Sequence, residues 1–354
     1  MKKAVAVKSL SFFLNAWFPG RRAGILLVAL LLVCHAFLLP AAAGPPAGKP
    51  AAGPYKVGVI ALSRPFLRVF AGFWQGLNEA GYHSGFDVTF SLHDLNKDRR
   101  LIPALVQRFA REKYDLILTM TTPVTKGVLA ARQTAGTVPV LFTCVADPLG
   151  SGLVKSLRQP GGAVTGISHI SFQLQAKRLH LFAEAFPAMR KVAVFYNPGE
   201  DFTRGKMFPV LEPVARLLGL DIVRIAVGDH QQLQSACREL SRATADGIFM
   251  VPDPLPVSNF NLLVAASRRL RLPLMVIDNT LIARGGVMGY SPDFYEVGRQ
   301  AAAVADHVFQ GVDAGRLPVQ NPDQVKLVVS LKEAEKLHLA VDRKILLLAD
   351  RIIR

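Results

Sequence analysis

From Tyr55 onward two hydrophobic rhythms alternate along the chain. Nearly continuous apolar runs predict strands: "YKVGVIAL" (residues 55–62), "FDVTFSL" (86–92), "DLILTM" (115–120) and "VPVLFT" (138–143). Between them, apolar positions recur at helical spacing. Phe66, Val69, Phe70, Phe73 and Leu77 make one such face, with Gly81 as its stop. "RRLIPALVQRFAREK" (99–113) makes another, with Pro103 in its first turns, and a third helix is expected over 123–134. The rhythm breaks at "CVADPLGSGLVKSLRQPGGAVTGISH" (144–169), a glycine-rich stretch with an Asp-Pro turn near its start, which reads as a loop and a short helix. It then restarts. Strands are expected at 191–196, 220–227, 246–252, 272–277 and 286–291, with helices near 172–185, 207–218, 231–243, 257–270 and 294–309.

Strands this apolar must be covered on both faces, which parallel sheets flanked by helices provide. Two successive blocks of four or five βα units therefore predict an α/β protein with two Rossmann-like lobes. Ligands of such sheets bind outside the carboxyl ends of the strands, and two lobes can turn those ends toward one cleft.

The first residues belong to neither block. A basic leader (residues 2–22) precedes "AGILLVALLLVCHAFLL" (23–39) and then "PAAAG". This reads as a secretory signal over 1–43, cleaved after Ala43, with an uncleaved membrane anchor as the alternative. No lipid anchor is expected at Cys34, because a small residue does not precede it. "PPAGKPAAGP" (45–54) completes a linker over 44–54. Either way the folded part is expected outside the cytoplasm, periplasmic or secreted.

Charge changes the picture little. The formal net charge is +16, and five basic residues of the leader account for part of it. The remaining Lys and Arg are scattered and no aromatics alternate with them, so a basic surface is expected and nucleic-acid binding is not. After the leader only Cys144 and Cys237 remain, and both read as buried thiols.

Several chemistries fail on spacing. Gly150-Ser151-Gly152 lacks the third glycine of a dinucleotide fingerprint. "GEDFTRGKM" (199–207) has one residue too many for a P-loop and Met207 where a hydroxyl is needed. "GISHI" (166–170) lacks the closing glycine of a nucleophile elbow. No histidine spacing suggests a metal site, and no cofactor is implied. What recurs instead is a polar residue at strand ends: Ser63 and Arg64, Thr121 and Thr122, Asp147, Ser168 and His169, Asn197, Asp253, Asp278 with Asn279, and Tyr290. Each alone reads as a turn former or cap. Together they predict a cleft that hydrogen-bonds a small polar or zwitterionic solute.

"ADPLGSGLVKSLRQPGGAVTGIS" (146–168) resembles the hallmark of the tryptophan-type ABC transporter substrate-binding proteins. Further similar landmarks follow in order at 176–198, 247–255, 283–302 and 325–339. The resemblance implies a type 1 periplasmic-binding-protein fold with three crossovers between lobes. Lobe one would span 55–167 with 289–315 returning to it, and lobe two 168–288 with 325–354 packing on it. It implies no catalysis, and delivery of a solute by a monomer to an ABC permease. The same fold serving as a sensor or docking protein for a membrane receptor or kinase is the alternative. Carried over by position, Asp253 would take a ligand amine, and Thr121, Thr122 and Ser168 a carboxylate. Asn197 and Thr203 would contribute from lobe two, and Phe66, Phe202 or Tyr290 would stack on an apolar side chain. The helix expected after the Asp-Pro turn would offer its N-terminal amides. His169 and Asp278-Asn279-Thr280 depart from the family forms, and Arg64 and His169 would also suit an organic acid.

Overall fold

The computed structural model describes residues 54–200 and 203–354. The expected signal and all but Pro54 of the linker lie outside the described residues, as do Asp201 and Phe202.

Five strands form the first sheet: β1 (Tyr55–Ala61), β2 (Val88–Asp94), β3 (Leu116–Met120), β4 (Val140–Val145) and β5 (Val164–Ser168), in the order β2-β1-β3-β4-β5. All neighbours pair in parallel. Helices α1 (Leu67–Glu79), α2 (Ile102–Arg111) and α3 (Thr122–Ala135) connect the first four strands. Every residue of β3, β4 and β5 is buried, as their continuous apolar runs require.

The second sheet has seven strands in the order β12-β11-β10-β9-β8-β6-β7. These are β6 (Lys191–Tyr196), β7 (Asp221–Ala226), β8 (Gly247–Phe249), β9 (Leu274–Val276), β10 (Met288–Pro292), β11 (Val325–Ser330) and β12 (Arg351–Ile353). Here the all-parallel expectation needs correcting, because β11 runs antiparallel to β10 with Val325 opposite Pro292. The chain re-enters this sheet at the carboxyl end of β10, so the only direction left is back toward the amino ends.

Three segments cross between the lobes. Residues 168–174 lead from β5 into α4 (Gln175–Ala185). Asp293 links β10 to α5 (Phe294–Phe309), which packs in the core of lobe one against Val69, Phe73 and Leu77 of α1. Residues 320–324 lead back to β11. The return to lobe one thus begins at Phe294, not at 289, since β10 belongs to the second sheet. Helices α1 and α5 meet backbone to backbone: a Cβ at Gly72 would overlap the Tyr295 carbonyl, and one at Gly298 the Val69 carbonyl. All three crossings leave or join strands at the carboxyl ends of the parallel strands, so those ends of both sheets adjoin one interlobe space.

One expectation for the glycine-rich stretch fails. No helix follows the Asp-Pro turn, and residues 147–163 form successive turns before β5. Pro148 and Pro160, with Gly152, Gly161 and Gly162 at positive φ, keep this segment from winding into a helix.

Candidate functional site

Thr121 ends β3 with φ 84° and ψ 151°, a conformation that a β-branched residue rarely adopts. Its amide donates to the Thr143 carbonyl at 3.0 Å, and its carbonyl accepts the Thr125 hydroxyl at 2.9 Å. Its own hydroxyl is buried and, among the described residues, has no hydrogen-bond partner. Helix α3 begins at Thr122 with no side-chain cap and no acidic residue in its first turn. A strained backbone, an unpartnered hydroxyl and an uncapped helix start thus coincide at one strand end. Such a place accepts an anionic group.

At the end of β4 the register shifts between Phe142 and Val145, and Cys144 takes φ 57°. Its thiol is buried and free, and burial, reinforced by the Asp278 charge, pushes its pKa up. Cys237 is also buried and free, its thiol pushed up to about 11 by burial. Asp147 accepts the Gly150 amide at 2.7 Å through Oδ1. Its Oδ2 lies 3.4 Å from Nζ of Lys206, a residue of lobe two.

Ser168 belongs to the hinge. Its hydroxyl donates to Asn321 Oδ1 at 2.9 Å and its amide to the Gln320 carbonyl at 2.8 Å, which joins the first and third crossings. The His169 amide donates to the Val145 carbonyl at 2.7 Å, and its ring sits 5.8 Å from that of Phe294. Burial, and then the Arg178 charge, push its pKa down to about 3, so the imidazole is neutral at physiological pH. Ser63 is half-buried and extended ahead of a 3-10 turn over Arg64–Phe66, and Arg64 is exposed. Phe66 packs against Phe294 at 5.4 Å, within the core of lobe one.

In lobe two, Asp253, the expected amine acceptor, is turned onto backbone amides. It is fully buried, accepting the Asn197 amide at 2.7 Å and the Leu255 amide at 3.0 Å as the cap of a short helix, Pro254–Ser258. With no exposed surface it shapes the loop. Asn197 turns its own Oδ1 onto the Gly199 amide at 2.9 Å. Thr203 opens a π-type turn over Thr203–Met207, and its side chain lies outside the described residues.

Asp278, unlike Asp253, remains partly accessible. Oδ1 accepts the Thr280 amide at 2.7 Å. Burial raises its pKa, the Thr280 hydrogen bonds and the Arg178 charge oppose that, and Asp293 adds repulsion. Next to it, Asn279 donates its amide to Ser291 Oγ at 3.0 Å and Nδ2 to the Lys326 carbonyl at 2.8 Å. Its buried Oδ1 has no partner among the described residues. The Tyr290 ring is partly buried against the core of lobe two.

Sequence reasoning missed Arg178. This side chain is fully buried on α4, and its Nε donates to the Tyr290 carbonyl at 2.8 Å. Burial lowers its pKa to about 9, with Asp278 pulling the other way. The signal was available, since Leu174, Arg178, Phe182 and Ala185 share one helical face and the other three are apolar.

The structure therefore gathers Cys144, His169, Arg178 and Asp278 into one electrostatic neighbourhood between the lobes, and joins Asp147 to Lys206. It pairs Asn197 with Asp253 inside a loop of lobe two. Cavities of about 380 Å³ and about 320 Å³ lie elsewhere, one beside α1 and α5 and one beneath Tyr55 and Asp115, and neither contains a predicted site residue. Among the described residues no three His, Cys, Asp or Glu side chains form a metal site.

A curated tyrosine-binding protein of Clostridioides difficile (strain R20291) is 25% identical over 260 residues, 73% of each chain. A conserved domain protein of Vibrio cholerae superposes with a TM-score of 0.71 at 26% identity, covering 84% of this chain and 99% of that one. An ABC domain from Streptococcus pneumonia, solved with L-Trp, superposes with a TM-score of 0.70 at 23% identity, covering 85% and 100%, and so bears on the fold alone. The family profile described as ABC transporter substrate binding protein matches residues 56–353, and with that match across both lobes the chain belongs to the ABC transporter substrate-binding proteins.

Proposed function

We propose that the interlobe space captures an α-amino acid with an apolar or aromatic side chain and hands it to an ABC permease outside the cytoplasm. Capture of a small solute is the family's role. The observation that carries the amino-acid reading is Thr121, whose unpartnered hydroxyl stands at the uncapped start of α3. Folding leaves a strained backbone and an unpaired polar group there, and a bound carboxylate would compensate both. Across the space, Asp278 replaces Asp253 as the acceptor for the ammonium group, because it keeps accessible surface and Asp253 keeps none. His169, held neutral, adds a polar edge without a competing charge. The curated relative named for tyrosine makes aromatic amino acids the first solutes to try.

The test is a thermal-shift screen of the purified protein against amino acids, small carboxylates, nucleosides and sugars. A solute at about 100 times its Kd adds about 2.7 kcal/mol of stability, which is readily seen. Shifts confined to amino acids support the reading. A shift from sugars or nucleosides alone would overturn it.

A further inference from the structure

We propose that Asp147 and Lys206 form the contact that holds the two lobes together over a bound solute, and that Gly150 aims it. The proposal rests on the solute-binding reading above. Asp147 follows β4 of lobe one, and Lys206 lies in the Thr203–Met207 turn that follows β6 of lobe two. Their charged atoms are 3.4 Å apart. Neither residue belongs to a crossing segment, so the contact forms and breaks as the lobes close and open while the hinge stays intact.

The carboxylate is held for this task. Oδ1 accepts the Gly150 amide at 2.7 Å, and the Asp147 carbonyl accepts the Ser151 amide at 3.0 Å. The turn thus fixes the side chain before Lys206 arrives. Gly150 is not among the glycines with positive φ, so its backbone does not explain the residue. The space around it does: a Cβ there would overlap Asp147 Oδ2 and stand 2.8 Å from Cγ. Even alanine would push the carboxylate aside. Gly152, two residues on, has φ 71° and nothing near its Cβ position, so it serves the turn instead. The Asp-Pro-Leu-Gly sequence is thereby explained as a mount for one carboxylate facing the other lobe.

Both side chains keep solvent contact, 33% of Asp147 and 54% of Lys206. A pair this open is weak and screened by salt, which suits a contact that must let go. Its loss should speed solute release about two- to five-fold at low ionic strength and leave association nearly unchanged.

The experiment measures release of L-tyrosine and L-tryptophan by stopped flow from wild type, Asp147→Asn, Lys206→Gln, Gly150→Ala and the double variant D147N/K206Q. We expect faster release from the three single variants, no further acceleration in the double variant, and convergence of all five at about 0.5 M salt. Equal release from wild type and D147N at low salt, or a double variant whose effect is the sum of the two single ones, overturns the proposal. A second arm uses no solute: spin labels at the exposed positions Gln133 of lobe one and Ser235 of lobe two report the interlobe distance. D147N should shift the distribution toward longer distances at low salt, and an unchanged distribution overturns the contact. If neither amino acid binds, the functional reading fails, and the label distances still decide the contact.

Discussion

Arg178 on a helix of lobe two donates from Nε to the backbone carbonyl of Tyr290 at 2.8 Å. Its Nη atoms also approach the carbonyl and hydroxyl of Ser171, at 3.4 and 3.5 Å. One buried cation therefore ties the first crossing to the strand that feeds the second. Arg178→Met should destabilise the protein by about 2 kcal/mol, since it leaves buried acceptors unpaired while removing a buried charge. Arg178→Lys should recover part of that loss. Urea midpoints check both, and an unchanged midpoint for the Met variant would remove Arg178 from the hinge.

Thr121 makes a prediction with two signs. Thr121→Val keeps the branched shape and deletes a hydroxyl that lacks a partner in the folded chain. Stability should stay level or rise, while amino-acid affinity should fall about tenfold, the worth of one hydrogen bond to a carboxylate. Calorimetry and thermal melts on one preparation separate the two effects. A parallel loss of stability and affinity would mean that the hydroxyl is structural.

His169 predicts a pH slope. Its folded pKa, about 3, lies below the ordinary 6.5. Between these values the unfolded chain binds the extra proton, so this contribution to stability is full above pH 6.5 and is lost as the pH falls toward 3. His169→Gln should flatten that part of the stability profile. In wild type, the His169 imidazole resonance should not titrate between pH 7 and 5, and a midpoint near 6.5 would contradict its burial.

Gly298 tests the return of the chain into lobe one. A methyl group there would overlap the Val69 carbonyl of the facing helix. Gly298→Ala should cost about 1–3 kcal/mol, seen as a lower denaturation midpoint, because two backbones cannot separate without opening the core between them. Gly85→Ala is the counterpart, with nothing near its Cβ position but φ 85°, and should cost only the backbone penalty, about 1 kcal/mol.

The strands were legible because apolar runs such as "DLILTM" can be buried on both faces only inside a helix-covered parallel sheet. The long helix over residues 294–309 was expected with the same limits that the structure gives. The lobe to which it belongs was not legible from periodicity, since that depends on glycines at 72, 76 and 298 meeting a partner hundreds of residues away. The 147–163 segment misled because its leucines and lysine mimic a helical face, while positive-φ glycines decide against it. The strand-end rule singled out Thr121, Asp147, His169 and Asp278, on which the proposed site is built. It did not separate Asp253 from Asp278, because both cap a helical turn after a strand and they differ in burial. Arg178 was passed over because a charged residue on an apolar face was not weighed as buried.

An amino acid held between Thr121 and Asp278 is tested by calorimetric titration of L-tyrosine and L-tryptophan into wild type, Thr121→Val, Asp278→Asn and Asp253→Asn, with the fold of each checked by circular dichroism. We expect saturable one-to-one binding to wild type and a loss of about tenfold or more in the first two variants. Asp253→Asn should lower stability, with affinity kept wherever the fold survives. Undiminished binding by Thr121→Val and Asp278→Asn, with affinity lost only in a well-folded Asp253→Asn, would contradict this placement.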